Sequence, residues 1–145
     1  MIPLVDLRAQ YHNLRRELTA AIDEVVNSQV FINSAKVRSF ESACSAKFGV
    51  ENAIGCSCGT SALFLALNAC GIGPGDEVIV PAMTFIATAE AVSACGAVPV
   101  FADIDPGTYQ LDIISAENLV TSRTKAIIVV HLYGNCSDMD ALTSL

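Results

Sequence analysis

Apolar positions recur along this chain at two different periods, and the change of period falls near residue 50. In the first stretch Leu14, Leu18, Ile22, Val25 and Val26 repeat at helical spacing, while Arg15, Arg16, Asp23 and Glu24 occupy other faces. After a break, Val37, Phe40, Cys44 and Phe48 repeat the pattern, with Ser34 placed to cap the helix and Gly49 to stop it. The pattern predicts a helical segment over residues 1–50. From residue 51 onward, short apolar runs alternate with helical stretches. Residues 53–56, 77–81, 98–104 and 126–132 read as strands. Between them, Ser57-Cys58-Gly59-Thr60-Ser61 leads into an apolar helix that runs to Cys70, 84–95 and 115–121 also read as helices, and Ser137 opens a last one that runs to Leu145. The cluster Gly71-Ile72-Gly73-Pro74-Gly75-Asp76 reads as a turn.

Strand–helix alternation with Val- and Ile-rich runs predicts an α/β fold: N-terminal helices, then a largely parallel sheet with helices on both faces over residues 51–145. The last helix is barely two turns long, has no capping glycine, and no segment closes the far edge of the sheet. The expectation is therefore the N-terminal portion of a longer domain.

Composition narrows the function classes. Apolar residues make up 52% of the 145 and charged residues 16%, which excludes a disordered chain. Formal net charge is −7 with no basic cluster, so phosphate-neutralising nucleic-acid binding has no footprint here. No apolar run approaches the ~20 residues of a membrane span. The first residues lack the basic and apolar regions of a signal peptide. Six cysteines fall inside apolar helix and strand patterns, so they are expected to be buried free thiols in a reducing cytoplasm.

Candidate chemistry starts at Ser57-Cys58-Gly59-Thr60-Ser61, where a strand is expected to meet a helix. Free amides and the helix dipole make such a corner an anion site, with Thr60 and Ser61 hydroxyls as further donors. The alternative is an ordinary N-cap made by Thr60 or Ser57. Phe85, after a strand ending at Pro81, is either a stacking platform for a flat ring or a core residue. His131 either faces a pocket at the carboxyl end of its strand or is a hydrogen-bonded core histidine. Asp103 and Asp105 are a candidate carboxylate pair, but Asp105-Pro106-Gly107-Thr108 is turn chemistry. The glycines at 71, 73 and 75 follow a helix and precede a strand, the reverse of a dinucleotide fingerprint. Cys56 and Cys58 are a close thiol pair, and His12 and His131 lack the spacing to complete a zinc site; no metal is expected.

Taken together these segments resemble the DegT/DnrJ/EryC1/StrS sugar aminotransferases. The resemblance rests on Ile2-Pro3-Leu4-Val5-Asp6-Leu7, Gly59-Thr60-Ser61-Ala62-Leu63, the turn at 71–76 with Glu77-Val78-Ile79, residues 81–88, Asp103-Ile104-Asp105-Pro106 and His131-Leu132-Tyr133-Gly134. It implies a partial fold-type-I large domain that uses pyridoxal 5′-phosphate. It implies that Gly59, Thr60 and Ser61 hold the cofactor phosphate and that Phe85 stacks on the pyridine ring. It further implies a nucleotide-linked keto sugar as substrate, an amino-acid donor (usually glutamate) and a homodimer or higher oligomer. In the family the Schiff-base lysine and the acid that pairs with the pyridine nitrogen lie beyond the equivalent of Leu145. Lys36, Lys47 and Lys125 are not substitutes, so no catalytic residue is assigned and this chain alone is expected to be inactive. The family also prefers glycine at the position of Ser34 and a residue other than cysteine at Cys58. The rival expectation is a non-catalytic α/β module that associates through apolar surface.

Overall fold

A computed structural model describes residues 5–145; Ile2, Pro3 and Leu4 of the opening motif lie outside the described residues. The chain forms two units that divide between Gly55 and Cys56.

The first unit carries two helices, α1 (Leu7–Ser28) and α2 (Ala35–Phe48). Asp6 caps α1, its Oδ1 accepting the amides of Arg8 and Ala9 at 3.1 and 3.0 Å. Ser34 occupies the N-cap position of α2 but its hydroxyl makes no cap bond, and Gly49 ends that helix in the left-handed region at φ 66°. Neither helix contains a buried residue. Residues 53–56 do not form the expected strand. A strand exists only when its backbone is paired, and this run of four, broken by Gly55, has no ladder partner. The Gly55 amide donates instead to Glu41 Oε1 at 2.8 Å.

The second unit holds α3 (Gly59–Ala69), β1 (Glu77–Pro81), α4 (Ala87–Ala94), β2 (Val98–Ala102), α5 (Ile113–Asn118), β3 (Thr124–Ile127), a single 3₁₀ turn (Leu132–Gly134) and α6 (Met139–Leu142). The three strands are parallel in the order β2-β1-β3. β1 is central and buried at all five positions. Its side chains alternate between faces, as a pleat requires. Val78 and Val80 pack with Leu67 of α3 and Ala91 and Val92 of α4. Ile79 packs on the other face with Ala102, Leu111, Ala116 of α5 and Leu142 of α6. The expected α/β architecture, with helices on both faces of a parallel sheet, is the one observed. The 71–76 turn is also observed, with Gly71 and Gly75 at φ 74° and 96°.

Element ends differ from the sequence pattern for local reasons. β3 stops at Ile127 rather than Leu132. The Ile128 amide still donates to the Ile79 carbonyl at 2.9 Å, but the next bond in a parallel ladder needs the N–H of residue 81, and Pro81 has none. Residues 129–131 are thereby released from the sheet. β2 likewise ends at Ala102, and Ile104 makes only an isolated bridge with Leu111. α5 begins two residues early because Asp112 caps it, Oδ1 accepting the amides of Ile114 and Ser115 at 2.8 and 3.1 Å. α4 begins at Ala87, so Phe85 sits in the loop before it. At the start of β1, buried Glu77 accepts a hydrogen bond from Thr121 Oγ1 at 2.6 Å and pairs with the Arg123 guanidinium. The Thr121 hydroxyl first, then Arg123, hold its carboxyl below the usual range.

Candidate functional site

At the carboxyl ends of β1 and β3 an open cavity of about 770 Å³ lies within the second unit. One wall is the first turn of α3, from Gly59 and Thr60 to Leu63. The loop after β1 supplies Thr84 and Phe85, and the segment after β3 supplies Ile128 to His131. Parallel sheets gather ligands at this end.

The α3 wall is an open helix N-terminus. The first turn of any helix leaves amides without an intrahelical acceptor. Here the earliest internal bond is from the Ala62 amide to the Cys58 carbonyl, at 3.0 Å. Cys58 stands at the N-cap in extended conformation and its side chain makes no cap bond. A Cβ added at Gly59 would meet nothing within 4 Å, so the space beside that amide is free. Glycine at 59 is therefore not demanded by packing against the protein itself.

Phe85 is 74% exposed, its ring unsheltered beside the cavity. The Thr88 amide donates to its carbonyl at 3.1 Å, and Thr84 and Thr88 hydroxyls lie 3.2 Å apart, which ties the loop to the start of α4. His131 also lines the cavity, and its Nδ1 accepts the Ser137 amide at 3.2 Å. The pocket-facing reading is the one observed; the core reading fails, because His131 is hydrogen-bonded but exposed.

Of the four residues that the sequence singled out, Gly59, Thr60 and Phe85 meet at this cavity. Ser61 does not line it: its hydroxyl lies 2.9 Å from Ser57 Oγ and 3.5 Å from Cys58 Sγ, on another side of the corner. None of the six cysteines is buried, contrary to the expectation; Cys44 and Cys95 are half-buried and the other four exposed. Cysteine passes for a small hydrophobe in a sequence pattern; Cys95 does pack against the core around Val78 and Val80, but Cys58 and Cys70 fall at the ends of α3 and Cys56 and Cys136 in loops. The Ser61 hydroxyl foremost, with the Ser57 hydroxyl, lowers Cys58 from 9.0 to about 7. Asp105 is a turn residue, accepting the Gly107 and Thr108 amides and the Thr108 hydroxyl at 2.7–3.0 Å. These bonds, Thr108's amide foremost, depress its carboxyl. Among the described residues no cluster of three or more His, Cys, Asp or Glu side chains is arranged to hold a metal.

Residues 12–145 match the DegT/DnrJ/EryC1/StrS aminotransferase family. The chain belongs to that family. Over 144 residues it is 49% identical to a UDP-N-acetyl-3-dehydro-alpha-D-glucosamine 3-aminotransferase of Acidithiobacillus ferrooxidans, covering 99% of this chain and 39% of that protein. It is 43% identical to a UDP-2-acetamido-2-deoxy-3-oxo-D-glucuronate aminotransferase of Pseudomonas aeruginosa, covering all of this chain and 40% of the relative. The crystal structure of DesV from S. venezuelae, in complex with a ketimine intermediate, superposes with a TM-score of 0.93 at 44% identity, over 99% of this chain and 38% of that one. NtdA from Bacillus subtilis, solved with bound cofactor PMP, gives 0.87 at 37% identity, over 91% and 30%. This DegT-family chain thus spans about two fifths of the length of the relatives it matches. Among its described residues no helix is long and apolar enough to cross a membrane.

Proposed function

We propose that this chain is part of a pyridoxal 5′-phosphate-dependent aminotransferase acting on a nucleotide-linked keto sugar, with glutamate as amino donor. One observation carries the reading: a single cavity brings together the uncapped N-terminus of α3 and the bare ring of Phe85. The donor set suits the cofactor. The amides of Gly59, Thr60 and Ser61, with the Thr60 hydroxyl, can hold a phosphate against the positive end of the helix dipole. Phe85 can stack on the pyridine and keep water off one face. When bound, the coenzyme supplies an amino-group carrier and an electron sink. No lysine lines the cavity, and Lys125 stands in β3 at the end of the sheet away from it. The anchoring lysine of the complete enzyme is accordingly assigned outside these 145 residues, and the chain alone does not turn over. The complete enzyme is read as a cytoplasmic homodimer or higher oligomer.

Titration with pyridoxamine 5′-phosphate, followed by its fluorescence, tests this. Thr60→Ala and Phe85→Ala should each weaken binding about tenfold, the scale of one charge-assisted hydrogen bond or one aromatic stack. Borohydride reduction in the presence of pyridoxal 5′-phosphate should leave no lysine adduct. Equal affinity in wild type and both variants, or a stable adduct on Lys36, Lys47 or Lys125, overturns the reading.

A second reading, a non-catalytic assembly module, has its own observation. α1 exposes Leu7, Tyr11, Leu14, Leu18, Ile22 and Val26 at helical spacing. Light scattering tests this second reading: a clean monomer with little apolar-dye binding argues against an assembly surface.

A further inference from the structure

We infer that His131 is a further binding residue of this cavity, a fixed hydrogen-bond donor to the ring-bearing ligand that Phe85 receives; the inference rests on the cofactor reading above. The observations are three. His131 lines the same cavity as Thr60 and Phe85, and it is exposed there. Its Nδ1 is already occupied, accepting the Ser137 amide at 3.2 Å. Ser137 is itself buried and held, its hydroxyl donating to Gln110 Oε1 at 2.7 Å.

The chemistry follows from valence. In the neutral imidazole one nitrogen donates and the other accepts. A backbone amide can only donate, so Nδ1 must be the acceptor and the proton sits on Nε2. The nitrogen left to meet a ligand is therefore a donor. The rest of the lining is mostly aliphatic, from Leu63 and Ala66 to Ile128 and Val130. A donor on such a wall selects a ligand that offers an acceptor at that place, and it penalises one that leaves the N–H unpaired. Inorganic phosphate satisfies the α3 corner without reaching this wall. A pyridoxal-type ligand, whose phenolic oxygen is an acceptor on the ring's edge, can reach both.

Two variants separate the two nitrogens. In His131→Asn the amide oxygen can still accept the Ser137 amide, but its NH2 stops short of the place that Nε2 occupies. His131→Gln restores a donor at greater reach. Pyridoxamine 5′-phosphate and inorganic phosphate are the probes, with backbone amide spectra confirming that each variant is folded. His131→Asn should bind pyridoxamine 5′-phosphate about three- to tenfold more weakly than wild type and His131→Gln within about threefold, while phosphate affinity is unchanged in both. Thr60→Ala should weaken both probes. Imidazole ¹⁵N spectra of the free protein should show the proton on Nε2, and that signal should move on adding pyridoxamine 5′-phosphate. Unchanged pyridoxamine 5′-phosphate affinity in folded His131→Asn, or a proton on Nδ1, overturns the role of His131 while leaving the cofactor reading intact. Failure of wild type to bind either probe overturns both.

Discussion

α3 and α5 begin in opposite ways. At α5 the carboxylate of Asp112 closes the first turn, taking the amides of Ile114 and Ser115. At α3 the residue in the same place is Cys58, whose side chain caps nothing. The chain has carboxylate caps at its disposal, for Asp6 and Asp138 serve α1 and α6 in the same manner. A capped end gains local stability and gives up its anion site; an uncapped one keeps the site and forgoes roughly 1 kcal/mol. The difference is that the first turn of α3, unlike that of α5, takes no side-chain cap.

The strongest way to break this comparison is to make α3 resemble α5. Cys58→Asp should raise unfolding free energy in urea by about 1 kcal/mol, as a new cap does. It should also lower affinity for pyridoxamine 5′-phosphate well over tenfold, because a carboxylate takes the amides and repels the phosphate. Undiminished binding in a stabilised Cys58→Asp protein would mean that the open turn is not where phosphate goes. The converse change, Asp112→Ala, should cost about 0.5–2 kcal/mol of stability and leave that affinity unaltered. The smallest effect is kinetic. Alkylation of Cys58, followed by mass spectrometry, should track the thiolate with a midpoint about pH 7 and fall about tenfold per pH unit below it. Ser61→Ala removes the largest cause of the lowered value, so its midpoint should move upward toward 9.0.

Much of the fold is local and could be read directly. The period of Leu14, Leu18 and Ile22 gives α1, the Val-Ile runs give β1 and the last two residues of β3, and Gly49 gives the end of α2. What could not be read depends on pairing across the chain. Residues 53–56 look like a strand in isolation and lack a neighbour in space. Residues 128–132 look like a strand too, but their fate depends on a proline some fifty positions earlier. Asp112 as the cap of α5 is legible in principle, since an Asp before Ile113-Ile114 is a start signal, although the predicted helix begins only at Ser115.

The site divides in the same way. Thr60 and Phe85 carry their chemistry in residue type and position, so the sequence could nominate them. The hydroxyl of Ser61 could not be aimed from sequence, because its preference for Ser57 is a matter of side-chain geometry. His131 carried two competing readings, and only its place on the cavity wall decides against the core one. The cysteines misled because periodicity scores them as apolar whether they face inward or out.

Pro81 joins the sheet to the cavity. By withholding one amide it frees the backbone past Ile128 to leave the plane of the strands and carry an imidazole to the rim. An alanine at 81 would supply the absent donor and tend to extend β3 by a residue or two. The sheet would be tidier for it, and the cavity would lose a wall: a missing proton on one strand decides where the neighbouring strand stops being scaffold and starts being lining.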